Sequence, residues 1–388
     1  MLIRGARVVV GDGSAALLRA DVRVVGTGIE AVSTSLVPAS DEQVIEANGR
    51  VLMPGFVDAH THALWAGERL DEHELRLRGA SYLEILQAGG GIWSTVRSVR
   101  AASQSELQAL LRERLEVMLR EGTTTVEVKS GYGLATEHEL KMLRAIRETA
   151  PRFAGSVVPT ALLGHALDPA DSDFVRRTIE ETLPAVHREF PEVALDAYCE
   201  EGAWSLAQTR QLLEAGKRLG HPLRLHADQF HSLGAVELAL ELGLRSLDHL
   251  EATPTEALER LARGGVFGVM LPASGFHVDG RYANGRAFLE AGGKLVLATN
   301  CNPGTAPTSS MPLVIALAVR HLGLSVLEAI TACTSQAAAL LGFDDRGVVA
   351  PGKRADLILL RHRDERQLGY ELGGDPVVHV ICGGELVK

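Results

Sequence analysis

Short apolar runs alternate with longer amphipathic segments through the middle of the chain. The runs are about five residues long and rich in Val, Leu and Ala, which is typical of buried strands. We predict strands at residues 51–59, 123–128, 155–163, 193–199, 223–227, 246–250, 266–271 and 295–299. The amphipathic segments predict helices at residues 105–120, 137–148, 173–189, 205–219, 233–242, 254–263 and 311–322. Eight strands with helices between them indicate a (β/α)8 TIM barrel.

The two ends of the chain have a different pattern. Short strand-like stretches separated by glycine turns occur in residues 1–54 and 346–388, for example LIRGARVVVGDGS and PVVHVICGGELVK. We therefore predict an α/β protein in which residues 55–345 form the barrel and both ends together form a small β-sandwich domain. The competing topology is an open doubly wound sheet, but no G-x-G-x-x-G follows the first strand.

Composition and charge narrow the class of protein. The 388 residues carry a formal charge of -10, with 46% hydrophobic and 23% charged residues, as in an ordinary globular protein. The acidic balance and the lack of a Lys/Arg-rich run argue against nucleic acid as a partner, and no apolar run is long enough for a membrane span. The start lacks the apolar core of a signal peptide, and the four cysteines form no C-x-x-C pair. We therefore expect a cytoplasmic protein with reduced thiols.

Histidines recur at the predicted carboxyl ends of the strands, where a barrel of this kind places its active site. His60 and His62 follow the first strand with i, i+2 spacing, which puts both imidazoles on one face. Neighbouring neutral imidazoles suit a divalent metal ion. One H-x-H is a weak signal in a chain with 14 histidines, and it gains weight from His226 and His249 at later strand ends.

The other strand-end residues each keep an alternative interpretation. His226 is a metal ligand or a satisfied histidine, and His165 contacts substrate or is structural. His249 is a ligand, or it holds and protonates a group at the metal. Lys129 could be carbamylated and bridge two metal ions, although we favour a single-metal site. His231 lies beyond its turn and is expected to be peripheral.

The last predicted strand is followed by an amide where the chemistry favours an acid. Three neutral histidines leave the charge of a metal ion uncompensated, so a carboxylate ligand and an open position for water would suit it. The residue after the strand is Asn300 instead. An amide oxygen is a weaker ligand for zinc or iron, and the amide cannot take a proton from bound water.

These residues lie in segments that resemble the amidohydrolase superfamily, and most closely its imidazolonepropionase branch. The similar segments are PGFVDAHTH, its continuation through ALWAGERLDEHELRLRGASYLEILQAGGGIWSTVR, TTTVEVKSGYGL, LHADQF, SLDHLE, TNCNPGTAPTSSMP and RADLILL. The H-x-H is common to the superfamily, whereas KSGYGL and NPGT are specific to the branch. The resemblance implies a distorted (β/α)8 barrel with a small β domain. It also implies hydrolysis of 4-imidazolone-5-propanoate to N-formimidoyl-L-glutamate, a step of histidine degradation, with one Zn²⁺ or Fe³⁺ ion per subunit.

The resemblance further implies roles for individual residues. His60, His62 and His226 would bind the metal, together with position 300, where the family has an aspartate. Substrate contacts would come from Arg69, Tyr132, His165, Gln229, Asn302, Gly304 and Thr305. We assign catalysis to His249, Gln229 and Asn300 at the aspartate position, and we expect a homodimer.

Two of these substrate contacts also follow from the chemistry of the residues. Arg69 could clamp a substrate carboxylate bidentately, and the NPGT turn would expose backbone N–H groups and a hydroxyl to an anion. In the alternative, Arg69 belongs to a solvated run of charges, and the glycines only form turns.

Three explanations stay open for Asn300. It is a natural variant tolerated because the histidines hold the ion, an engineered inactive form, or the mark of a natural protein without activity; we favour an engineered form. Two rival functions also remain. A related amidohydrolase acting on another cyclic amide or on a nucleobase, as a deaminase, would use the same metal site, and a ligand-binding protein would need no turnover.

Overall fold

The computed structural model describes residues 1–79 and 90–388 of the chain. Its strands are β1 (Leu2–Val8), β2 (Leu17–Val25), β3 (Gly28–Ser33), β4 (Val44–Glu46), β5 (Val51–Pro54), β6 (Phe56–Asp58), β7 (Thr123–Lys129), β8 (Ser156–Gly164), β9 (Ala194–Cys199), β10 (Arg224–Ala227), β11 (Ser246–His249), β12 (Phe267–Met270), β13 (Lys294–Leu297), β14 (Leu357–Leu360), β15 (Val377–Cys382) and β16 (Glu385–Leu386).

The helices of these described residues lie mostly between the strands of the middle part. They are α1 (Leu70–Leu77), α2 (Ile92–Ala101), α3 (Gln104–Arg120), α4 (Thr136–Thr149), α5 (Phe174–Arg177), α6 (Leu183–Glu189), α7 (Leu206–Leu219), α8 (Ala235–Leu242), α9 (Thr255–Arg263), α10 (Pro272–Val278), α11 (Gly285–Glu290), α12 (Met311–His321), α13 (Val326–Ala332), α14 (Ser335–Leu341) and α15 (Gln367–Tyr370). Ser103 and Ser205 cap α3 and α7 with reciprocal side-chain bonds to the third helical residue, and both helices begin within one residue of the predicted start.

Two separate sheets confirm the predicted fold class. Strands β6 to β13 form an eight-stranded sheet in chain order, and every neighbouring pair is parallel. Both chain ends meet in a mixed sheet of order β16-β15-β14-β5-β1-β2-β3, with β4 beside β1. The architecture is a (β/α)8 near-barrel with a smaller sheet built from the two termini.

The first predicted strand, residues 51–59, is divided between these two sheets. β5 pairs with β1 and β14 in the terminal sheet, whereas β6 pairs with β7 in the barrel. Gly55 separates them, and a Cβ atom at this position would lie 2.5 Å from the Thr124 hydroxyl oxygen. Periodicity alone did not reveal the break, because both halves are buried apolar strands. We propose residues 1–54, 55–345 and 346–388 as the corresponding domain segments.

The first and last barrel strands are joined by side-chain and loop contacts. The Asp58 carboxylate accepts hydrogen bonds from the Thr299 backbone N–H (3.1 Å) and hydroxyl (2.5 Å). Beyond the strand ends, the Asn300 N–H donates to the His60 carbonyl, and the His62 N–H donates to the Cys301 carbonyl, both at 3.0 Å. The closure therefore brings the H-x-H segment directly beside the loop that contains Asn300.

One predicted helix is interrupted. Residues 173–189 form α5, then a π-helical segment at Thr178–Thr182, then α6. Pro184 lies at the start of α6 and lacks the N–H that a continuous helix would use, which favours a change in the hydrogen-bonding pattern just before it.

Candidate active site

Four predicted histidines converge at the carboxyl ends of the barrel strands. The His60 ring centroid lies 4.4 Å from that of His226, 5.4 Å from that of His62 and 5.9 Å from that of His249. All four side chains are almost fully buried. Residues that are 189 positions apart in the chain thus share one small volume, as the strand-end argument predicts.

Two of these rings are oriented by buried carboxylates. His60 Nδ1 donates to Asp248 Oδ2 at 2.6 Å, and His226 Nδ1 donates to Asp196 Oδ1 at 3.1 Å. Because each Nδ1 carries the proton, each Nε2 presents a lone pair. Burial lowers the pKa of both imidazoles well below the usual value, so both rings are neutral near pH 7.

The free nitrogens of the cluster meet the requirements of a metal ion. Within the described residues, one ring nitrogen each from His60, His226 and His249 lies within 4.8 Å of the others. His60 Nε2 is buried and has no hydrogen-bond partner, and the His62 and His226 Nε2 atoms are 3.3 Å apart. A histidine that donates its other N–H to a carboxylate is the usual metal-ligand arrangement. The donor set therefore fits a divalent cation.

His249 occupies a strained position at the end of β11. Its φ is 88° and that of the following Leu250 is 74°, values that side chains with a Cβ rarely adopt. The His249 Nδ1 donates to Glu251 Oε1 at 3.2 Å, so its Nε2 is also free to accept a proton or a cation. Strain of this kind occurs where the surrounding structure overrides local preference, often in active sites.

Two further rings, those of His165 and Tyr132, extend the cluster from His62. The His62 and His165 rings stack with centroids 5.1 Å apart, and the Tyr132 ring lies 5.1 Å from that of His165. His165 Nδ1 donates to the Gly131 carbonyl at 2.9 Å, and burial lowers the pKa of His165 to about 4. A neutral imidazole with a free Nε2 therefore stands next to the histidine cluster.

Asn300 lies beside the H-x-H segment with an unused side-chain oxygen. Its backbone N–H donates to the His60 carbonyl, and its φ of 57° is in the left-handed region, which asparagine tolerates. The Oδ1 atom is buried and has no hydrogen-bond partner. A buried unpaired amide oxygen is costly unless a ligand or an ion completes it.

The turn after Asn300 is arranged differently from the sequence prediction. The Asn302 Oδ1 atom accepts hydrogen bonds from the backbone N–H groups of Gly304 (2.8 Å) and Thr305 (2.7 Å). Its Nδ2 donates to the Asn300 carbonyl and to the Thr305 hydroxyl oxygen. The N–H groups expected to face an anion are therefore occupied within the turn, because the asparagine side chain closes back on its own backbone.

Arg69 lies against this turn and is paired with Glu72. A Cβ atom at Gly304 would be 2.5 Å from Arg69 Nη1, so only glycine permits this approach. Arg69 Nε donates to Glu72 Oε2 at 2.9 Å, and a second bond joins Nη2 to Oε1. The Arg69 side chain is 12% exposed. It is held at the rim by Glu72 and is not part of a freely solvated charge run.

Gln229 and His231 differ in their exposure to solvent. Gln229 is buried, accepts a hydrogen bond from the Tyr198 hydroxyl at 2.9 Å and reaches Ser274 through Nε2 at 3.4 Å. The His231 side chain is 52% exposed and bonds to Glu200. Gln229 is thus buried against Tyr198, whose ring centroid lies 6.2 Å from that of His226, whereas His231 is half exposed.

Comparison with known proteins decides the family. The sequence profile of the amidohydrolase family matches residues 51–387. An imidazolonepropionase of Herpetosiphon aurantiacus is 46% identical, over 89% of this chain and 84% of its own length. The imidazolonepropionase of Deinococcus radiodurans is 43% identical, over 88% of this chain and 85% of its own length. That of Geobacillus kaustophilus is 38% identical, over 98% of this chain and 91% of its own length. The chain belongs to the imidazolonepropionase family of amidohydrolases.

Solved structures support the fold of this imidazolonepropionase-family chain. A triazine hydrolase variant superposes with a TM-score of 0.78 at 20% identity, covering 100% of this chain and 94% of the other. An atrazine chlorohydrolase from Arthrobacter aurescens TC1, complexed with zinc, gives a TM-score of 0.74 at 20% identity with the same coverage. Across residues 1–79 and 90–388, each helix is too short or too polar to cross a bilayer.

Sequence reasoning missed the charged residues behind the histidines of this family member. Asp196 and Asp248 orient His226 and His60, and Arg224 donates to Asp248 Oδ2 at 2.7 Å. A weak signal existed, because Asp248 directly precedes His249 and Asp196 lies within a strand that is otherwise apolar before Tyr198. An acidic residue inside a buried strand predicts a buried partner, although it does not tell which one.

Proposed function

We propose that this chain hydrolyses the ring amide of 4-imidazolone-5-propanoate to give N-formimidoyl-L-glutamate, a step of histidine degradation. The family supports a hydrolase that acts on a carbon–nitrogen bond of a cyclic amide. The observation that carries the proposal is the convergence of ring nitrogens from His60, His226 and His249 within 4.8 Å of one another. One of them, His60 Nε2, is buried without a hydrogen-bond partner, and a buried polar atom of this kind calls for a ligand or an ion.

We propose one Zn²⁺ or Fe³⁺ ion per subunit, held by His60, His62 and His226 with Asn300 at the fourth position. The unpaired Nε2 of His60 and the unpaired Oδ1 of Asn300 support this set. When bound, the metal ion supplies Lewis acidity toward water and the ring carbonyl. His249 also belongs to the tight nitrogen group, and it either completes the ligand set or stays available for proton transfer.

His249 is the side chain best placed to move a proton. Its Nδ1–H donates to Glu251, so Nε2 can accept a proton as water adds to the ring carbonyl. The resulting imidazolium is stabilised by the Glu251 carboxylate and can protonate the ring nitrogen as the carbon–nitrogen bond breaks. An aspartate at position 300 would share this work, whereas Asn300 cannot take a proton.

The remaining predicted residues orient the substrate. Arg69, held at the rim by Glu72, is suited to the propanoate carboxylate. Tyr132 and His165 present flat rings to the imidazolone, and the neutral His165 Nε2 accepts a hydrogen bond from a ring N–H. Gln229, fixed by Tyr198 and Ser274, contacts the other side of the ring. Asn302, Gly304 and Thr305 shape the turn that Arg69 touches.

A single assay series tests the proposal. Turnover of 4-imidazolone-5-propanoate is measured by product analysis on purified protein, with metal content determined on the same samples. We expect slow hydrolysis that tracks the bound metal and faster hydrolysis after Asn300→Asp. Metal-replete protein that leaves the substrate intact, in both forms, would refute it. A nucleobase or an uncharged cyclic amide turned over in its place would favour the related hydrolases.

The neutral side chain at position 300 favours a second candidate, a ligand-binding form without turnover. Calorimetry distinguishes the two, because tight binding of 4-imidazolone-5-propanoate with no product, even in Asn300→Asp, supports the binding form. We further propose a cytoplasmic homodimer. In the described residues Cys199, Cys301, Cys333 and Cys382 are unpaired thiols, as expected in a reducing compartment. Light scattering of the purified chain tests the dimer.

A further inference from the structure

Five charged side chains behind the histidine cluster form a continuous ionic network that the proposed reaction does not use. We define the buried ionic chain as Glu127, Lys129, Asp196, Arg224 and Asp248. Each member is at most 2% exposed. Charged groups this deep are costly unless they are paired, so the network needs an explanation.

The buried ionic chain connects His226 to His60. Asp196 Oδ1 accepts from His226, and Asp196 Oδ2 accepts from Lys129 Nζ at 2.9 Å. Lys129 also donates to Glu127 Oε1 at 2.8 Å, which in turn faces Arg224 Nη1 at 3.4 Å. The network reaches His60 through Asp248 Oδ2, which accepts from both Arg224 Nη2 and the His60 ring.

The buried ionic chain also forms hydrogen bonds to Thr61, the residue between the two histidines of the H-x-H motif. Glu127 Oε2 accepts from the Thr61 N–H at 3.0 Å, and the Thr61 hydroxyl donates to the Glu127 carbonyl at 2.6 Å. The Lys129 N–H donates to the Thr61 carbonyl at 3.0 Å. Thr61 lies between His60 and His62, so the backbone that presents both imidazoles is fixed by two members of the chain.

We propose that Lys129 and Arg224 are positioning residues of the metal site, acting through Asp196 and Asp248 to hold His226 and His60 in the geometry for a cation. This inference rests on the proposed metal site. Lys129, paired with two carboxylates and without exposed surface, is an ammonium that anchors ligands, and is not a candidate for carbamylation.

The direction in which cation affinity changes when Lys129 is removed distinguishes a positioning role from simple electrostatic attraction. The network contains three carboxylates and two cations. Removing Lys129 makes the surroundings of the cluster more negative, which by Coulomb attraction alone would strengthen cation binding. A positioning role predicts the opposite, because Asp196 loses its partner and no longer fixes His226.

The test is a Zn²⁺ titration against a chromophoric chelator, with no activity readout. We expect Lys129→Met to weaken Zn²⁺ binding by about 10- to 100-fold, the usual effect of losing a partner that orients a metal ligand. The control is Arg346→Met, another buried cation, which bonds to Thr125 and Ser156 at the opposite strand ends and should leave affinity unchanged. Unchanged or tighter binding in Lys129→Met would overturn the inference.

Two further measurements keep the test decisive. If Lys129→Met does not fold, Ser246→Ala replaces it, since the Ser246 hydroxyl bonds to Asp248 Oδ1 at 2.5 Å and accepts from Arg224 Nε. It should weaken Zn²⁺ binding several-fold, and unaltered affinity would count against positioning. If the unmodified protein itself binds no Zn²⁺, the proposed metal site fails; if it binds Zn²⁺ and the variants bind equally, only this inference fails.

Discussion

The carboxyl ends of β10 and β11 contrast with the turn that follows β13. At the first location, His226 and His249 each bond to a carboxylate through Nδ1, and each also offers a ring nitrogen within 4.8 Å of one from His60. In the turn, Asn302 uses its oxygen and its amide nitrogen on neighbouring groups of the same loop. Polar residues at a strand end are therefore functional when their atoms remain unpaired toward a common point, and structural when the loop satisfies them. Asn300 resembles the first class, because its Oδ1 has no partner.

The largest effect on metal binding and activity is expected when a histidine of the cluster is removed. His226→Ala removes a converging ring nitrogen and leaves the Asp196 carboxylate without its histidine partner. We expect loss of bound metal and a fall in kcat/KM on the order of 10³-fold or more, since the ion supplies most of the activation. Metal analysis and the hydrolysis assay check this. His231→Ala, which changes a half-exposed histidine nearby, should retain both metal and activity.

Asn300→Asp sharpens the contrast between the two asparagines of the last loop. A carboxylate at this position adds negative charge and a proton acceptor beside His60, so kcat should rise by a factor on the order of 10²–10⁴. Steady-state kinetics with parallel metal analysis measure the change. Asn302→Asp makes the same chemical change two residues later and should not raise kcat. Equal turnover of the Asn300→Asp form and the unmodified chain would remove position 300 from the mechanism.

Arg69→Ala tests whether the rim beside the turn binds the substrate carboxylate. Hydrogen bonds to a charged group contribute about 1.5–3 kcal/mol, so we expect KM to rise by about 10- to 100-fold with a smaller change in kcat. The control is Arg76→Ala, because Arg76 contacts the same Glu72 carboxylate at 3.3 Å without touching Gly304 as Arg69 does. A KM that stays the same in Arg69→Ala would favour a substrate without a carboxylate.

The smallest effect on catalysis, and a direct effect on stability, is expected for Asn302→Ala. This change leaves the Gly304 and Thr305 N–H groups without their acceptor and should lower the free energy of unfolding by about 1–3 kcal/mol. Asn302→Asp keeps the acceptor and loses only the amide donor, so its loss should be smaller. Denaturant titration measures the series. A larger loss for the aspartate form than for the alanine form would contradict the structural role of this side chain.

The alternation of strands and helices was predictable from the sequence because burial on both faces of parallel strands leaves a local apolar signature. Six of the seven predicted helices were found by this periodicity, and the seventh, residues 173–189, is interrupted by a π-helical segment. The histidines of the site were found by their positions at the ends of the predicted strands. The break at Gly55 was hidden, since both halves are buried apolar strands and differ only in their distant partners, β1 and β14 for β5 and β7 for β6. The bonds of the Asn302 side chain within its own turn were not predictable either, and its expected contact with substrate stays a prediction.

By itself the sequence determined the order of the elements, the two-sheet composition and the placement of His60, His62, His226 and His249 at strand ends, because these depend on neighbours within a few residues. Only the tertiary structure decided which nitrogen of each ring bonds to a carboxylate, since the deciding partners are distant: Asp248 is 188 positions from His60, and Asp196 is 30 positions from His226. A ligand site requires atoms to be aimed at one point, and that is a property of packed strands and their buried ion pairs.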